Sequence, residues 1–399
     1  MALSNTQTSY GSITRGFHWL TALLVITLIP VALIAQQLPY DTSEQLARKA
    51  WMFSLHKTLG VSVFFVSLVR IIWALTQTKP APLHPDHKTE TFLAETAHWL
   101  LYGSLVLAPL SGWIHHAATS GFAPIWWPLG QNLPLVPKSE SLSAVFGGAH
   151  WVFGKVMAAT ILLHVAGAVK HQIVDRDLTL PRMLTGKPSP LTPQPPHHSR
   201  APLVAAVGIW AVTLILGSGF GLYAPKHAAP EAAELHEVTS DWRVEEGTIA
   251  INVQQFGSTV TGSFADWTAD ITFDPNKIDG KAGHVEVIIA IGSLTLGSVT
   301  DQAMGPDFFD QASFPTAKFS ADINANIDGY EANGTLTIKD ITFPISMPFR
   351  LSAQGSAANM QAHLTLQRLD FGIGANMPDE SSLAFAVDVN VALSATTLE

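Results

Sequence analysis

Five apolar runs, at residues 17–38, 53–76, 97–117, 149–171 and 201–222, are each close to the 20 or so residues that a helix needs to cross the hydrocarbon core of a bilayer. None lies beyond residue 222, so the chain divides there into a part made for lipid and a part that must fold in water. Lipid offers the backbone no hydrogen-bonding partner, which confines the first part to helices that satisfy their own amides.

Charge divides at the same place. From residue 238 onward there are 7 Lys+Arg against 20 Asp+Glu, whereas the preceding part holds 15 against 11. So acidic a soluble portion argues against a nucleic-acid partner. The chain has no cysteine, which excludes disulfides, thiolate catalysis and iron–sulfur ligation. The residues before the first run are polar and no small-residue cleavage site comes after it, so that run reads as a retained helix.

Positive charge near helix ends sets orientation. Arg15, Lys79, Lys88, Arg176, Arg182, Lys187 and Arg200 fall on one side of the five crossings, against Arg48, Lys49 and Lys138 on the other. This places the N-terminus on the inner side of the membrane, and five crossings place the acidic portion outside. The expected division is a four-helix domain over 1–185, a Pro-rich cytoplasmic linker over 186–200, a fifth membrane helix over 201–222, a periplasmic tether over 223–237 and a β-domain over 238–399. The fifth run carries no His, Lys or Arg and reads as a membrane anchor for the acidic portion.

In the β-domain, segments such as TIAINVQQ, AKFSADINANI and SLAFAVDVNVALSAT alternate apolar and polar residues, with turn residues between them. About eight short strands are expected, closing into one antiparallel barrel or sandwich, with DQAMGPDFFDQ as the helical exception. Phe264, Trp267, Phe308 and Phe309 are candidate lining residues for an apolar ligand; packing of the barrel core is the alternative.

The stretch AHWVFGKVMAATILLHVAGAVKH sets two histidines, His150 and His164, fourteen residues apart on one helix. They lie about 21 Å apart along the axis and only about 40° apart around it. Helix direction puts His18 and His164 at one depth and His56 and His150 at the other. Histidines facing each other in a bundle, without cysteine or a carboxylate set, suit axial ligation of haem iron better than zinc or a di-iron centre. Two such pairs imply two haems stacked through the membrane. Arg70, fourteen residues after His56, is a candidate clamp for haem propionates or else a positive anchor at the membrane surface. Lys155 is a candidate for balancing haem charge or meeting an anionic substrate, with tolerated packing as the alternative. His98, His115, His116 and His171 sit at helix ends and read as interfacial or hydrogen-bonding, His171 with a possible role in proton uptake. His84, His87, His197 and His198 read as loop residues.

FHWL at 17–20, LHKTLG at 55–60, AHWLLYGSLVLAPLSGW at 97–113 and AHWVFGKVMAATILLH at 149–164 resemble the bacterial dihaem cytochrome b561 family over roughly residues 10–185. The resemblance implies that His18, His56, His150 and His164 ligate two b haems, and that electrons are exchanged with membrane quinone. Some members of that family oxidise superoxide at the outer face while reducing ubiquinone. FADWTADITFDP, PDFFDQASFPTAKFS and GTLTIKDITFPISMPFRL resemble the YceI-like family, periplasmic lipocalin-like barrels that bind long polyisoprenoids, quinone-type ones included. Where that family has an Arg-Asp-x-His run, this chain has Thr300-Asp301-Gln302-Ala303.

The expectation is thus an all-α membrane cytochrome followed by an all-β lipocalin-like barrel. Its expected activity is that of a superoxide:ubiquinone oxidoreductase, with ubiquinone or another isoprenoid lipid in the barrel. Two alternatives remain at this point. One is a quinol-oxidising cytochrome that feeds a periplasmic acceptor; the other is an isoprenoid carrier anchored by a redox-sensing cytochrome.

Overall fold

The computed structural model describes residues 2–84, 86–128, 130–190, 199–225, 233–235, 240–326 and 329–397, without the side chain of Gln354. Most of the expected linker and tether, with His197 and His198, lies outside the described residues. The chain forms two compact units. One comprises the residues up to Gln37, Trp51–Ala118 and Ile125–Pro225; the other comprises Leu38–Ala50, Thr119–Pro124 and the chain after Pro225.

The first unit is helical. Helices α1 (Ser12–Gln37), α2 (Ser43–Thr76), α3 (Lys88–Ala117) and α4 (Glu140–Lys170) are followed by a π-helical turn over His171–Asp175, the short α5 (Thr179–Leu184) and α6 (Ala201–Gly219). Among the described residues, four helices are long and apolar enough to cross a membrane: α1, α2, α4 with its π turn, and α6. The sequence counted α3 as a fifth crossing. It forms a 30-residue helix but is less apolar, because it carries Thr96, His98, Ser104, Ser111, His115 and His116. It can carry them because it packs against both α4 and α6. Thr96 and Ser111 also return their hydroxyl protons to the helix's own carbonyls, Phe92 O at 2.8 Å and Ala108 O at 2.9 Å. Gly103 permits the contact with α6, since a Cβ there would stand 1.9 Å from the Trp210 indole.

Midway along the bundle, Val25 and Leu28 of α1, Val63 of α2 and Leu105 of α3 form an apolar cluster with Leu59, Met157 and Ile161 around it. These positions fall between the two histidine levels on every helix concerned, so hydrocarbon separates one level from the other.

The second unit is built on an antiparallel sheet of ten strands: β1 (Trp242–Gln255), β2 (Ser258–Phe264), β3 (Trp267–Phe273), β4 (Gly280–Ala290), β5 (Leu294–Thr295), β6 (Thr316–Asn326), β7 (Gly329–Ile338), β8 (Ile341–Gln354), β9 (Ala357–Gln367) and β10 (Leu383–Thr397). A helical turn, α7 (Thr300–Met304), covers only the first four residues of the segment DQAMGPDFFDQ read as helical. The sequence suggested about eight strands. The count differs chiefly through β5, whose two residues pair with Ser263 and Phe264 and are too short to show alternation.

Strand order is β3-β4-β6-β7-β8-β9-β10-β1-β2-β5. Strands β2 and β3 lie towards opposite ends of that order, yet only Ala265 and Asp266 separate them along the chain. The short link forces the sheet to curl until its two ends meet, and the result is a barrel. Strand β6 shows the inward period plainly, with Ala317, Phe319, Ala321, Ile323 and Ala325 buried and the residues between them more exposed.

The barrel encloses a cavity of about 270 Å³. Ile249, Ile251, Phe264, Trp267, Phe308, Phe309, Phe319 and Met347 are among its lining residues, and Gln255, Gln302 and Arg368 are its strongly polar ones. Arg368 is 3% exposed and donates to five carbonyls: Ala384 at 3.0 Å, Ile373 at 2.9 Å, Gly374 at 2.7 Å, Leu383 at 3.1 Å, and Met377. It therefore ties the segment after β9 to the start of β10. An Arg368→Leu change leaves those carbonyls unpartnered and should cost about 3 kcal/mol or more of barrel stability. A lowered denaturant midpoint with an unchanged slope, followed by tryptophan fluorescence, is the expected result.

Candidate functional site

Two histidine couples define the helical unit. His18 of α1 faces His164 of α4 with ring centres 6.3 Å apart, and His56 of α2 faces His150 of α4 at the same spacing. Along α4 the couples are separated by fourteen residues, about 21 Å of helix.

Hydrogen bonds orient the second couple. His56 Nδ1 lies 3.1 Å from Leu28 O on α1, and His150 Nδ1 lies 2.7 Å from Ala108 O on α3. A carbonyl only accepts, so each Nδ1 carries the proton and each Nε2 keeps its lone pair for the opposite side. Ligating histidines show this arrangement, with the far nitrogen held by the protein and the near one left for metal. In the other couple, His18 Nδ1 is buried without a hydrogen-bond partner.

The geometry fits an iron held between each pair. Metal–imidazole bonds of about 2.0–2.1 Å, with each ring centre about 1.1 Å behind its nitrogen, space two coaxial ring centres about 6.3 Å apart. Room for a flat macrocycle is present as well. Gly60 and Gly154 each stand one turn beyond His56 and His150, and Gly167 stands three residues beyond His164. A Cβ at any of the three would meet nothing within 4 Å.

Gly112 of α3 is a residue that the sequence did not single out. A Cβ there would stand 2.8 Å from His150 Nδ1, in the way of the ring that reaches Ala108 O. Its role shows only once α3 and α4 are packed, because a lone glycine in an apolar helix carries no signal of what crosses it. Lys57, next to His56, was not singled out either and is also buried, with 7% of its surface exposed.

The remaining predicted residues are spread over both units. Arg70 is half-buried on α2, its guanidinium carbon 5.5 Å from the Tyr102 ring centre. Lys155 is exposed on α4 with Nζ 5.3 Å over Trp151; five residues beyond His150, it points about 140° round the helix from that histidine. His98 comes within 5.3 Å of His164, ring centre to ring centre, so it belongs to that couple's surroundings. His115 lies against Ser143 of α4 at 2.7 Å from its carbonyl. Phe264, Trp267, Phe308 and Phe309 all line the barrel cavity, in the other unit.

His84 and His171 are brought together, which the sequence did not foresee. Both reach Asp177 Oδ2, at 3.0 and 2.8 Å. Burial works to raise the Asp177 carboxyl, but hydrogen bonds from Thr179 and His84 and the nearby His171 hold it below the ordinary carboxylate range.

A helical bundle with two facing histidine couples, followed by a ten-stranded barrel around an apolar cavity, is the architecture of a membrane cytochrome fused to a lipocalin-like domain. The profile described as prokaryotic cytochrome b561 matches residues 9–186, and that described as YceI-like domain matches residues 242–396. Cytochrome b561 homolog 2 of Escherichia coli (strain K12) is 31% identical over 199 residues, covering 47% of this chain and 97% of that protein. A UPF0312 protein of Yersinia pestis (strain Pestoides F) is 31% identical over 150 residues, 34% of this chain and 77% of that protein. Among solved structures, Burkholderia cenocepacia BcnA is 28% identical with a TM-score of 0.36, over 39% of this chain and 100% of that one. The chain belongs to the prokaryotic cytochrome b561 family in its helical part and to the YceI-like family in its barrel. It is thus a bacterial membrane protein with b-type haem and an oxidoreductase of the electron-transfer kind.

Gly112→Ala should push the His150 ring off Ala108 O and cost about 1–3 kcal/mol in local packing. Haem content measured against protein should fall.

Proposed function

We propose that this chain takes electrons from superoxide at the periplasmic face of the inner membrane and passes them to ubiquinone, while its barrel holds an isoprenoid lipid of the quinone type. The observation that carries this reading is the presence of two metal-ready histidine couples at two depths of one bundle. When bound, two b haems supply one-electron redox centres close to both faces of the membrane.

The chain's own residues do the rest. His18 and His164 hold one haem, His56 and His150 the other, and the bonds to Leu28 O and Ala108 O fix the imidazoles of the second pair. Arg70 supplies a cation at the His18–His164 level for a haem propionate. The apolar cluster around Val25, Leu28, Val63 and Leu105 excludes water between the levels. Exposed Lys155 offers an anionic substrate a local positive charge that the strongly acidic barrel lacks.

Orientation rests on the distribution of Lys and Arg, which favours a cytoplasmic N-terminus and a periplasmic barrel. The domain division at 185, 200, 222 and 237 rests on the apolar runs and the Pro-rich stretch between them. In the barrel, Phe264, Trp267, Phe308 and Phe309 line the space for an isoprenoid tail, and Gln302, within the run where related barrels carry Arg and His, is a polar lining residue. Tethering raises the effective concentration of such a lipid at the cytochrome.

Oxidised full-length protein exposed to an enzymatic superoxide source should show reduced b-haem absorption. Added ubiquinone should reverse it and superoxide dismutase should abolish it. Protein that quinol and dithionite reduce but superoxide does not would sink the superoxide reading in favour of quinol oxidation. Lys155→Gln should slow the superoxide reaction several-fold at low salt and by less at high salt, as expected of steering. Alanine at His18 or His164 should remove about half the haem, and alanine at His56 or His150 the other half; haemochrome spectra against protein measure both.

A further inference from the structure

The loop between α2 and α3 and the end of α4 meet at a cluster outside the haem couples. His84 Nε2 lies 3.0 Å from Asp177 Oδ2, and His171 Nδ1 lies 2.8 Å from the same oxygen. The ligand-competent atoms of all three residues fall within 4.8 Å of one another. The two imidazole rings are nearly parallel, 5° apart, with centres 6.3 Å apart.

The backbone departs from α-helix to bring them there. After Lys170 the helix widens into a π turn over His171–Asp175, Arg176 takes a left-handed φ of 53°, and Asp177 N returns to His171 O at 3.1 Å. Asp177 is aimed as well: its Oδ1 accepts from Thr179 N at 2.8 Å, which leaves Oδ2 for the imidazoles. Asp175 Oδ2 lies 2.9 Å from the same His171 Nδ1 and is held by Lys170 at 3.0 Å, which also pairs with Glu90. Two imidazole nitrogens and one fixed carboxylate oxygen are the donor set of a borderline divalent ion with an open fourth position. Tetrahedral coordination with bonds of about 2.0–2.2 Å spaces donors about 3.3 Å apart. The two spacings to Asp177 Oδ2, 3.0 and 2.8 Å, would therefore widen by only about 0.3–0.5 Å.

We infer that His84, His171 and Asp177 form a binding site for a divalent transition-metal ion of the Zn²⁺ class, completed by water. His171 lies seven residues past His164, about 10 Å along the helix, so the ion clamps the α2–α3 loop to α4 at the end of the bundle that carries the His18–His164 couple. Binding there displaces the protons that now bridge the imidazoles to Asp177.

The test uses tag-free, full-length haem-loaded protein in detergent, stripped with chelator and then titrated with Zn²⁺, with bound metal counted by elemental analysis after dialysis. One tight Zn²⁺ equivalent is expected in the wild-type chain. His84→Gln and Asp177→Asn should each weaken it roughly tenfold or more and leave the b-haem spectrum unchanged. Co²⁺ in place of Zn²⁺ should give a visible absorption band that both variants lose. Absence of a tight equivalent in the wild-type chain overturns the inference, as does equal Zn²⁺ affinity in variants whose haem spectrum shows them folded.

Discussion

An imidazole inside an apolar bundle has two nitrogens and almost no water to satisfy either. The chain meets this constraint at His56 and His150 by binding Nδ1–H to a backbone carbonyl of a neighbouring helix, which turns Nε2 towards the opposite couple member. Much of the helical unit depends on those bonds. Helix α3 must pass close enough to α4 for Ala108 O to reach His150, which is why residue 112 has no side chain. Helix α1 must bring Leu28 O to the level of His56, and the same residue's side chain then joins the apolar layer in mid-bundle. Orientation of the ligands and insulation between the levels thus come from overlapping residues.

The helices α1, α2, α4 and α6 were legible because a bilayer demands length and apolarity, and both are countable in a sequence. Depth was legible too, since a fixed rise per residue converts the spacing of His150 and His164 into a position along α4. Helix α3 was harder: its polar residues lower its hydropathy, and only its enclosure by α4 and α6 explains how they are accommodated. Gly112 was invisible for a related reason, because its role is a clearance between two helices. His84 reads as an ordinary loop residue, for the partner that defines it lies 93 residues further along the chain. In the barrel the strand period carried the fold, while β5 was too short to show a period and Arg368 gave no sign of the five carbonyls it gathers.

The two units solve opposite problems with the same chemistry. In the helical unit, polar rings are placed within hydrocarbon and each needs a named partner. In the barrel, a protein surrounded by water keeps an interior of Ile, Phe and Met side chains open, with few polar groups among them. Arg368 is engaged by backbone, which leaves Gln255 and Gln302 as the polar side chains with fewer demands on them.

Mechanically, the barrel wall is uneven around its circumference. Strands β6 to β9 are bound along both edges by ladders of six or more residue pairs, whereas β2 is bound on its outer edge by two pairs only, to β5. Resistance to local opening grows with the number of bonds that must break together. The wall is therefore weakest beside Phe264 and Trp267, which flank the two-residue link and also line the interior. A staved barrel with one short stave breathes along that stave, and its side chains there are the first to feel any pressure from within.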